Sequence, residues 1–279
     1  MGTPQQHAEL LADVIGRHAN SPDPRVKEIS EAAVRHLHAF VEDVGLQRGE
    51  WFEGIKFLTA IGKICDEVRQ EFILLSDTLG VSALVEFVSY DGVDGTTENT
   101  VLGPWYVPGS PERKSGESML EDDDDGDRVV VRGRVTDVDG APIAGAILDC
   151  WQNGTDLFYA VQRPDLHSEF NLRGIYTTDD DGCYEIRAVR PLAYPIPSDG
   201  PVGAMLKANN RNWMRPGHLH VWAKAPGFKD LITHVFDEAS PHLHDDAVFG
   251  MRPSLVRAFA ADDTGELAAT FDVILDRAD

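Results

Sequence analysis

Two histidines separated by one residue, His218 and His220, have the type and spacing of a metal-binding pair. If this segment is a β-strand, both imidazoles project from the same face, because side chains alternate along a strand with a period of two. Two imidazoles on one face can bind one metal ion. The same pattern also occurs as two surface histidines on a half-buried strand, so the pair alone leaves both interpretations open.

Two tyrosines follow probable strands, where loops carry functional groups on a rigid scaffold. Tyr159 lies in Leu157-Phe-Tyr-Ala160, and Tyr194 lies in Leu192-Ala-Tyr-Pro-Ile-Pro197. Taken singly, each tyrosine also fits an amphipathic rim residue with its hydroxyl in water. A phenolate is a hard anionic oxygen donor that favours a metal of high charge, so tyrosine together with histidine indicates Fe(III) rather than Zn(II) or Fe(II).

Two other histidine patterns are set aside. A cupin-type site also begins with two histidines one residue apart, but it needs a glutamate a few residues later, where this chain has Lys224-Ala-Pro-Gly227. A second such pair, His242 and His244, lies between Pro241 and two aspartates in a polar segment. Turn-forming polar residues of this kind predict a loop, and we expect that pair to face solvent.

The elements that must position these residues change character along the chain. From residue 7 to about residue 90 apolar residues recur at helical spacing, with a break at Ser21-Pro-Asp-Pro24 and two later helices over 51–68 and 71–88. After a Gly- and Pro-rich segment from 91 to 127, apolar residues alternate instead. The strand candidates are 129–135, 146–151, 173–177, 183–189, 218–224, 231–236 and 270–275.

Short strands separated by turn signals predict a β-sandwich. The predicted fold class is therefore mixed α and β, with an N-terminal helical domain followed by an antiparallel β-sandwich catalytic domain. We place a helical dimerisation region and linker at residues 1–127 and the sandwich, with the metal site, at residues 128–279.

The composition disfavours several partners. Acidic side chains number 47 against 25 basic ones, for a formal net charge of -22, so the chain would repel nucleic acids and anionic membrane surfaces. Three cysteines far apart, Cys65, Cys150 and Cys183, indicate a reducing compartment. Because no signal peptide or membrane-spanning stretch is evident, we expect no membrane insertion and a cytoplasmic location.

The segments LFYAVQRPD, LAYPIP and RPGHLH together resemble the intradiol ring-cleavage dioxygenases, the catechol 1,2-dioxygenase group. The resemblance spans nearly the whole chain, and YPIPSDGPVG and APGF are most similar to the hydroxyquinol 1,2-dioxygenases. It implies one Fe(III) per chain, held by Tyr159, Tyr194, His218 and His220. It also implies intradiol cleavage of hydroxyquinol by O2 to 3-hydroxy-cis,cis-muconate or maleylacetate, with catechol or a substituted catechol as the alternative substrate.

The same resemblance gives roles to three further features. Arg215 falls where the family keeps an arginine beside the substrate, and its fixed charge can stabilise electron density on the ring. Tyr194 is the ligand expected to leave the iron when the diol binds. His234 stands where catechol-cleaving members typically have glutamine and hydroxyquinol-cleaving members have histidine, which favours a trihydroxybenzene.

The walls of the substrate pocket are also implied by the resemblance. Asp77 is expected to accept a hydrogen bond from a third ring hydroxyl. Trp105 stands where many hydroxyquinol-cleaving members have phenylalanine, and the larger ring is expected to reshape the pocket. The predicted wall residues are Leu74, Asp77, Val101, Leu102, Gly103, Pro104, Trp105, Ile196, Pro197 and Val248.

The N-terminal helices resemble the family's dimerisation region. This implies a homodimer whose inter-subunit groove can hold a phospholipid. The residues predicted to line that groove are Leu37, Phe40, Val41, Phe52 and Phe57.

Two other functions stay open at this point. Residues 132–146 also resemble transthyretin-like domains, which would make the sandwich a non-catalytic binding module, although such modules lack the tyrosine and histidine set. Among enzymes, a zinc hydrolase is the remaining alternative. Iron at about one atom per chain is expected for the dioxygenase and none for the binding module.

Overall fold

The computed structural model of the protein describes residues 3–90 and 92–278. Contacts divide the chain into two compact units, of which the first ends at Ala60 and the second begins at Ile61. The boundary predicted at residue 127 lies between the helical part and the sandwich, and it does not coincide with the boundary between these two units. It stays a prediction.

Helices α1 (Pro4–Gly16), α2 (Pro24–Val44) and α3 (Arg48–Ile64) form at the N-terminal end of the chain. The predicted break before Pro24 is confirmed, because the Asp23 carboxylate accepts hydrogen bonds from the first amides of α2 and proline occupies the first turn. Gly45 ends α2 in the left-handed conformation. Helix α3 ends at Ile64, earlier than the predicted Val68.

The single helix predicted over 71–88 is wrong. The structure has two helices there, α4 (Glu71–Thr78) and α5 (Val81–Ser89), bent by 80° at the break between them. Gly80, with φ of 72°, adopts the left-handed conformation that interrupts a helix. A further helix, α6 (Pro201–Ala208), was not predicted.

Within the described residues, no single helix is both long and apolar enough to cross a membrane. The bent pair α4 and α5 meets those criteria of length and composition only when its two helices are counted together.

The remaining chain forms short strands in two main sheets. The strands are β1 (Glu112–Arg113), β2 (Arg128–Asp137), β3 (Ile147–Trp151), β4 (Arg173–Thr177), β5 (Cys183–Val189), β6 (Tyr194–Pro195), β7 (Met214–Arg215), β8 (His218–Lys224), β9 (Leu231–Asp237), β10 (Val256–Arg257), β11 (Ala260–Ala261), β12 (Leu267–Thr270) and β13 (Val273–Leu275). A six-stranded sheet has the order β1-β4-β3-β8-β9-β10, and a five-stranded sheet has β11-β12-β2-β13 with β5 also beside β2. The predicted class, helices followed by a β-sandwich, is confirmed.

The longer strands pair antiparallel, as β2 with β5, β3 with β4 and β8, and β8 with β9. The short strands β1, β10, β12 and β13 add in parallel. The predicted strand 270–275 is two strands, because the chain leaves the sheet between Thr270 and Val273. There the Phe271 carbonyl oxygen lies 1.9 Å from where a Cβ on Gly133 would be, so β2 needs glycine at that position.

The main hydrophobic core lies on one face of the six-stranded sheet. Alternate residues of β3 and β8, such as Leu148, Cys150, Leu219 and Val221, are buried in it. Because side chains alternate, the residues between them point to the opposite face. That second face carries His218 and His220, and it positions the candidate site.

Candidate metal centre

The candidate site is built on a row of directly opposed residues across the six-stranded sheet. Arg173 of β4 pairs with Trp151 of β3, Trp151 pairs with His220 of β8, and His220 pairs with His234 of β9. The Trp151 and His220 rings stack, with centroids 4.5 Å apart and planes 11° apart. The strand predicted for His218 and His220 is confirmed, and both histidines are buried.

Four potential ligand atoms converge beside this row. The Tyr159 hydroxyl oxygen is 3.2 Å from that of Tyr194 and 3.0 Å from Nε2 of His220. Nε2 of His218 is 3.2 Å from Nε2 of His220. Ligand atoms that bind one ion at about 2 Å lie about 3 Å from one another. The structure therefore brings together all four residues predicted as metal ligands.

The tautomer of His218 is set by its neighbour in the chain. Nδ1 of His218 lies 2.7 Å from the Pro216 carbonyl oxygen, which can only accept a hydrogen bond. Nδ1 therefore donates, and Nε2 carries the free lone pair that faces His220. A histidine fixed in this way by a second hydrogen bond is typical of a metal ligand.

Burial shifts the proton equilibria of these side chains in directions that suit a cation. It lowers the pKa of His218 and of His220, with the charge of Arg215 adding to the effect, so both imidazoles are neutral and able to donate lone pairs. Burial, together with the nearby Tyr194, raises the pKa of Tyr159. The phenol would therefore ionise only if a positive charge were bound beside it.

Arg215 approaches the site from strand β7. Its Nη1 donates to the Tyr194 hydroxyl oxygen at 3.4 Å, and its Nε donates to the Asp246 carboxylate at 3.1 Å. Both side chains of the ion pair are only 3% exposed. Burial alone would lower the pKa of Arg215, but the charges of Asp246 and the tyrosine oxygens outweigh it and the net shift is upward. The guanidinium is thus a permanent cation beside Tyr194.

The partner of Arg215, Asp246, was missed in the sequence. Its carboxylate also accepts hydrogen bonds from the amides of Val248, Gly250 and Met251, at 3.3, 3.0 and 3.1 Å. The neighbouring pair His242 and His244 was predicted to face solvent, which holds for His244, whereas His242 is half-buried and Asp246 beside them is buried. The sequence after Asp246 is a short apolar run followed by a glycine. An aspartate at the start of such a run indicates a loop whose main-chain amides donate to the carboxylate.

Several predicted wall residues lie beside the ligands. A Cβ on Gly103 would be 3.5 Å from Cε1 of His220, and the Trp105 ring centroid is 6.3 Å from that of Tyr159. Leu102 packs against the cluster that includes Trp105 and Tyr159. Pro104, between them in the chain, is half-buried.

A second group of predicted wall residues surrounds Arg215. A Cβ on Gly250 would meet both Arg215 and the side chain of Val101, at 2.8 and 3.2 Å. Asp77 is buried, and its pKa is raised by burial and partly lowered by a hydrogen bond with Ser82 and by the charge of Arg215. Val248 lies two residues after Asp246, and its amide donates to the Asp246 carboxylate.

The remaining wall residues are placed only by their elements. Leu74 is buried on α4, one turn before Asp77. Ile196, also buried, and the half-buried Pro197 follow Tyr194 at the end of β6. Contact of these residues with a substrate stays a prediction.

His234 is the closest further candidate for a ligand. Its ring centroid is 4.2 Å from that of His220 and 4.5 Å from that of His218, and ligand atoms of these three histidines all lie within 4.8 Å of one another. Burial lowers the pKa of His234, and a main-chain contact of Val101 with the ring partly opposes that shift. Three histidines are also a catalytic zinc set, so geometry alone does not separate this site from that of a hydrolase.

Comparison with known proteins distinguishes a dioxygenase from a zinc hydrolase. Residues 101–277 match the family model described as dioxygenase, and residues 23–97 match the model described as catechol dioxygenase N terminus. The chain belongs to the intradiol ring-cleavage dioxygenases. It is therefore an enzyme, and both the binding-module and the zinc-hydrolase interpretations are wrong.

Relatives within the family cover most of the chain. Hydroxyquinol 1,2-dioxygenase of Rhizobium sp. (strain MTP-10005) is 46% identical over 88% of this chain and 83% of its own length. The crystal structure of hydroxyquinol 1,2-dioxygenase from Pseudomonas putida DLL-E4 matches with a TM-score of 0.93 and 44% identity, over 99% of this chain and 100% of that chain. Catechol 1,2-dioxygenase of Acinetobacter radioresistens matches with a TM-score of 0.86 and 27% identity, over 100% and 94% respectively.

Proposed function

We propose that this dioxygenase binds one Fe(III) through Tyr159, Tyr194, His218 and His220 and uses O2 to cleave hydroxyquinol between its adjacent hydroxyl groups. The observation that carries the proposal is the convergence of two phenol oxygens and two imidazole nitrogens within about 3 Å of one another. Two hard phenolates favour a trivalent ion over Zn(II). A ferric ion held by these residues would supply the Lewis acid that makes a bound diol reactive toward O2.

Two side chains, those of Tyr194 and Arg215, take part in the proposed reaction besides holding the metal. Of the two tyrosine oxygens, that of Tyr194 receives a hydrogen bond from the Arg215 guanidinium, at 3.4 Å. The sequence resemblance gives Tyr194 the role of leaving the metal and accepting a proton from the incoming diol, and Arg215 is placed to hold the released phenol. The fixed charge of Arg215 then stabilises electron density on the bound ring. Burial of the ligands excludes water from this step.

Hydroxyquinol as the substrate is supported by the relatives and by two side chains. The relatives from Rhizobium, Rhodococcus opacus and Nocardioides simplex, at 46%, 42% and 42% identity, are named for this substrate. His234 lies beside His220, with ring centroids 4.2 Å apart, and the sequence resemblance associates histidine at this position with hydroxyquinol cleavage. Asp77 offers a buried carboxylate near Arg215 for the third hydroxyl. The product is then 3-hydroxy-cis,cis-muconate or its tautomer maleylacetate.

Oxygen uptake on a panel of hydroxyquinol, catechol and chlorinated catechols tests the substrate. We expect hydroxyquinol to give the highest kcat/KM and maleylacetate as its product. Metal analysis of the same sample should find about one iron per chain. A purified, iron-loaded protein that cleaves catechol faster than hydroxyquinol would contradict the substrate, and a protein that binds zinc in preference to iron would contradict the metal.

We also propose a homodimer formed through the N-terminal helices. Leu37, Phe40, Val41 and Val44 recur at helical spacing along α2, and each is more than 40% exposed. An unpartnered apolar stripe of this length marks a surface that binds another surface. Sedimentation of the purified enzyme at several concentrations tests the dimer.

Phospholipid is the proposed occupant of the groove at these helices. Phe52 is exposed and Phe57 is half-buried, so both rings are accessible enough to line an apolar groove. Val41 also lines a groove of about 750 Å³ between α1 and α2, together with Arg35, two histidines and Glu42, whose carboxylate lies 3.0 Å from one of those histidines, His7. Extraction and mass spectrometry of lipid from purified protein tests this proposal. A cytoplasmic location is proposed as well, supported by the free thiols of all three cysteines.

A further inference from the structure

Arg173 occupies the end of the row that runs through Trp151 and His220 to His234. It is 1% exposed, which places a whole guanidinium in the interior next to the metal ligands. The pKa of Arg173 is lowered by burial, and the oxygens of Tyr159 and Asp149 partly oppose that shift. The side chain therefore lies within electrostatic range of one proposed ligand.

The hydrogen bonds of Arg173 lead to the predicted substrate wall. Its Nη2 donates to the main-chain oxygen of Trp105 at 2.6 Å. Its Nε and Nη1 have no hydrogen-bond partner among the described residues, and in those same stretches no carboxylate forms an ion pair with it. A cation buried without a paired carboxylate costs free energy, and such groups concentrate at functional sites.

The segment that Arg173 holds passes close to two of the proposed ligands, since a Cβ on Gly103 would lie 3.5 Å from Cε1 of His220 and the Trp105 ring centroid is 6.3 Å from that of Tyr159. Thr100 fixes its start, donating from its amide to the Ile232 carbonyl of β9 at 2.8 Å. Tyr106 fixes its end through a 3.0 Å hydrogen bond from its hydroxyl to Asp149 of β3. The bond from Arg173 attaches the main chain of Trp105 to β4, just where the indole turns toward Tyr159.

The main chain of Arg173 is itself held from outside the site. Nε of Arg113 donates to the Arg173 carbonyl oxygen at 2.9 Å, and Arg113 pairs with Glu121. Arg173 is thus fixed at its backbone and at its guanidinium. Because a guanidinium is rigid and planar, an Arg173 side chain held in this way also fixes the position of the Trp105 main-chain oxygen that it binds.

We propose that Arg173 is a positioning residue that sets substrate selectivity by fixing Trp105 against the ring-binding side of the metal centre. This rests on the proposed dioxygenase function. Trp105 is the largest predicted wall residue, so a small displacement of its indole changes which ring substituents fit. Arg173 does not itself contact the metal ligands through a hydrogen bond in the described structure, and it acts through the wall.

A double-mutant cycle tests the proposal. The full-length, iron-loaded wild type is compared with Arg173→Met, Trp105→Ala and the double variant, using the ratio of kcat/KM for hydroxyquinol to kcat/KM for catechol. In the protein that keeps Trp105, we expect Arg173→Met to change this ratio by about tenfold, mainly through KM. In the Trp105→Ala background the same substitution should change it little, because the side chain through which Arg173 acts is gone.

Substrate binding without turnover gives an independent readout. The dissociation constants of both substrates are measured anaerobically from the change in the visible spectrum, and they should show the same non-additivity. Arg173→Lys keeps the charge but loses the planar fork, so it should give an intermediate ratio and serves as the test variant if Arg173→Met does not fold. Arg190→Met, which removes an arginine bonded to Asp237 of the same sheet, is the matched control and should leave the ratio unchanged.

Additive effects of the two substitutions, or an unchanged ratio in folded, iron-loaded Arg173→Met or Arg173→Lys, would overturn the proposal. These results differ from a failure of the proposed function, in which the wild type itself would bind no iron or cleave no diol.

Discussion

The helices of the first compact unit, which ends at Ala60, and the sheets of the second unit differ in where their apolar and polar side chains lie. They are called here the helical region and the β-rich region. Helices α1 and α2 have no fully buried residue, and most of their large apolar side chains are exposed. In the β-rich region polar groups such as His218, His220 and Arg215 are almost wholly buried. Apolar surface that stays exposed is suited to association, whereas polar groups that stay buried are suited to chemistry.

This contrast predicts that effects on catalysis and effects on self-association can be changed independently. Substitutions in the buried polar site should change chemistry and leave assembly alone, while substitutions on the exposed apolar stripe should do the reverse. Each prediction below tests one side of the contrast.

The largest effect is expected for Tyr159→Phe, which removes an oxygen that contacts both Tyr194 and His220. We expect iron binding to weaken and activity to fall by more than about a hundredfold. The visible phenolate-to-iron band should bleach or shift. Tyr184→Phe is the matched control, since the Tyr184 hydroxyl donates to the Phe271 carbonyl in the core. A Tyr159→Phe protein with unchanged colour and iron content would show that this phenol is no ligand.

Arg215→Met should have the next largest effect, because it removes the fixed charge beside Tyr194. We expect kcat/KM to fall between about a hundredfold and a thousandfold, with iron content and the dimer unchanged. Steady-state kinetics and metal analysis on the same sample check both parts.

Arg132→Met provides the control for Arg215, since Arg132 pairs with acidic side chains in the other sheet and should keep full activity. Asp246→Asn should reproduce part of the loss, because it leaves a buried guanidinium without a charged partner. Equal activity of Arg215→Met and the wild type would remove Arg215 from the proposed reaction.

The placement of these residues could be predicted from the sequence only where the determining pattern is local. The strand period of two already put His218 and His220 on one face, and strands β4, β5 and β8 have the predicted bounds. The resemblance supplied the two tyrosines, which no spacing could connect to the histidines. The helix break at Gly80 was missed because apolar spacing continues through it.

Contacts between distant segments account for the rest. Asp246 stands in a polar loop, and its burial depends on Arg215, 31 residues away in the chain. Arg173 reaches the site only because three strand pairs are in register, and register is not encoded within any single strand. The local signal at Asp246 indicates a closed loop but not the arginine that pairs with it, and Arg173 has no local signature at all.

A moderate, substrate-dependent effect is expected for Asp77→Asn. If the Asp77 carboxylate accepts the third hydroxyl of hydroxyquinol, kcat/KM for hydroxyquinol should fall by about ten- to a hundredfold, while the value for catechol, which lacks that hydroxyl, should hardly change. Glu86→Gln is the control, since that carboxyl bonds Asn99 at 3.2 Å and lies outside the predicted wall. Parallel losses on both substrates would contradict the assignment.

The same carboxyl predicts a pH dependence. Burial raises the pKa of Asp77, so its ionised form exists only above a pKa that is higher than the ordinary value of about 4. The acceptor is therefore present at high pH and is lost as pH falls through the raised pKa. We expect KM for hydroxyquinol to rise on acidification earlier than KM for catechol does, and Asp77→Asn should abolish the difference. Coincident profiles in the wild type would contradict this role.

The smallest effect on chemistry, and the largest on assembly, is expected on the exposed stripe of α2. Leu37→Glu places a charge among Phe40, Val41 and Val44, so self-association should weaken by about tenfold or more while kcat/KM for hydroxyquinol is retained. Sedimentation at several concentrations measures the first and oxygen uptake the second. Glu28→Lys, an exposed position about 180° from Leu37 around α2, should keep the wild-type mass. If Leu37→Glu leaves assembly intact but lowers activity, the helical region contributes to the chemistry and the contrast between the two regions is wrong.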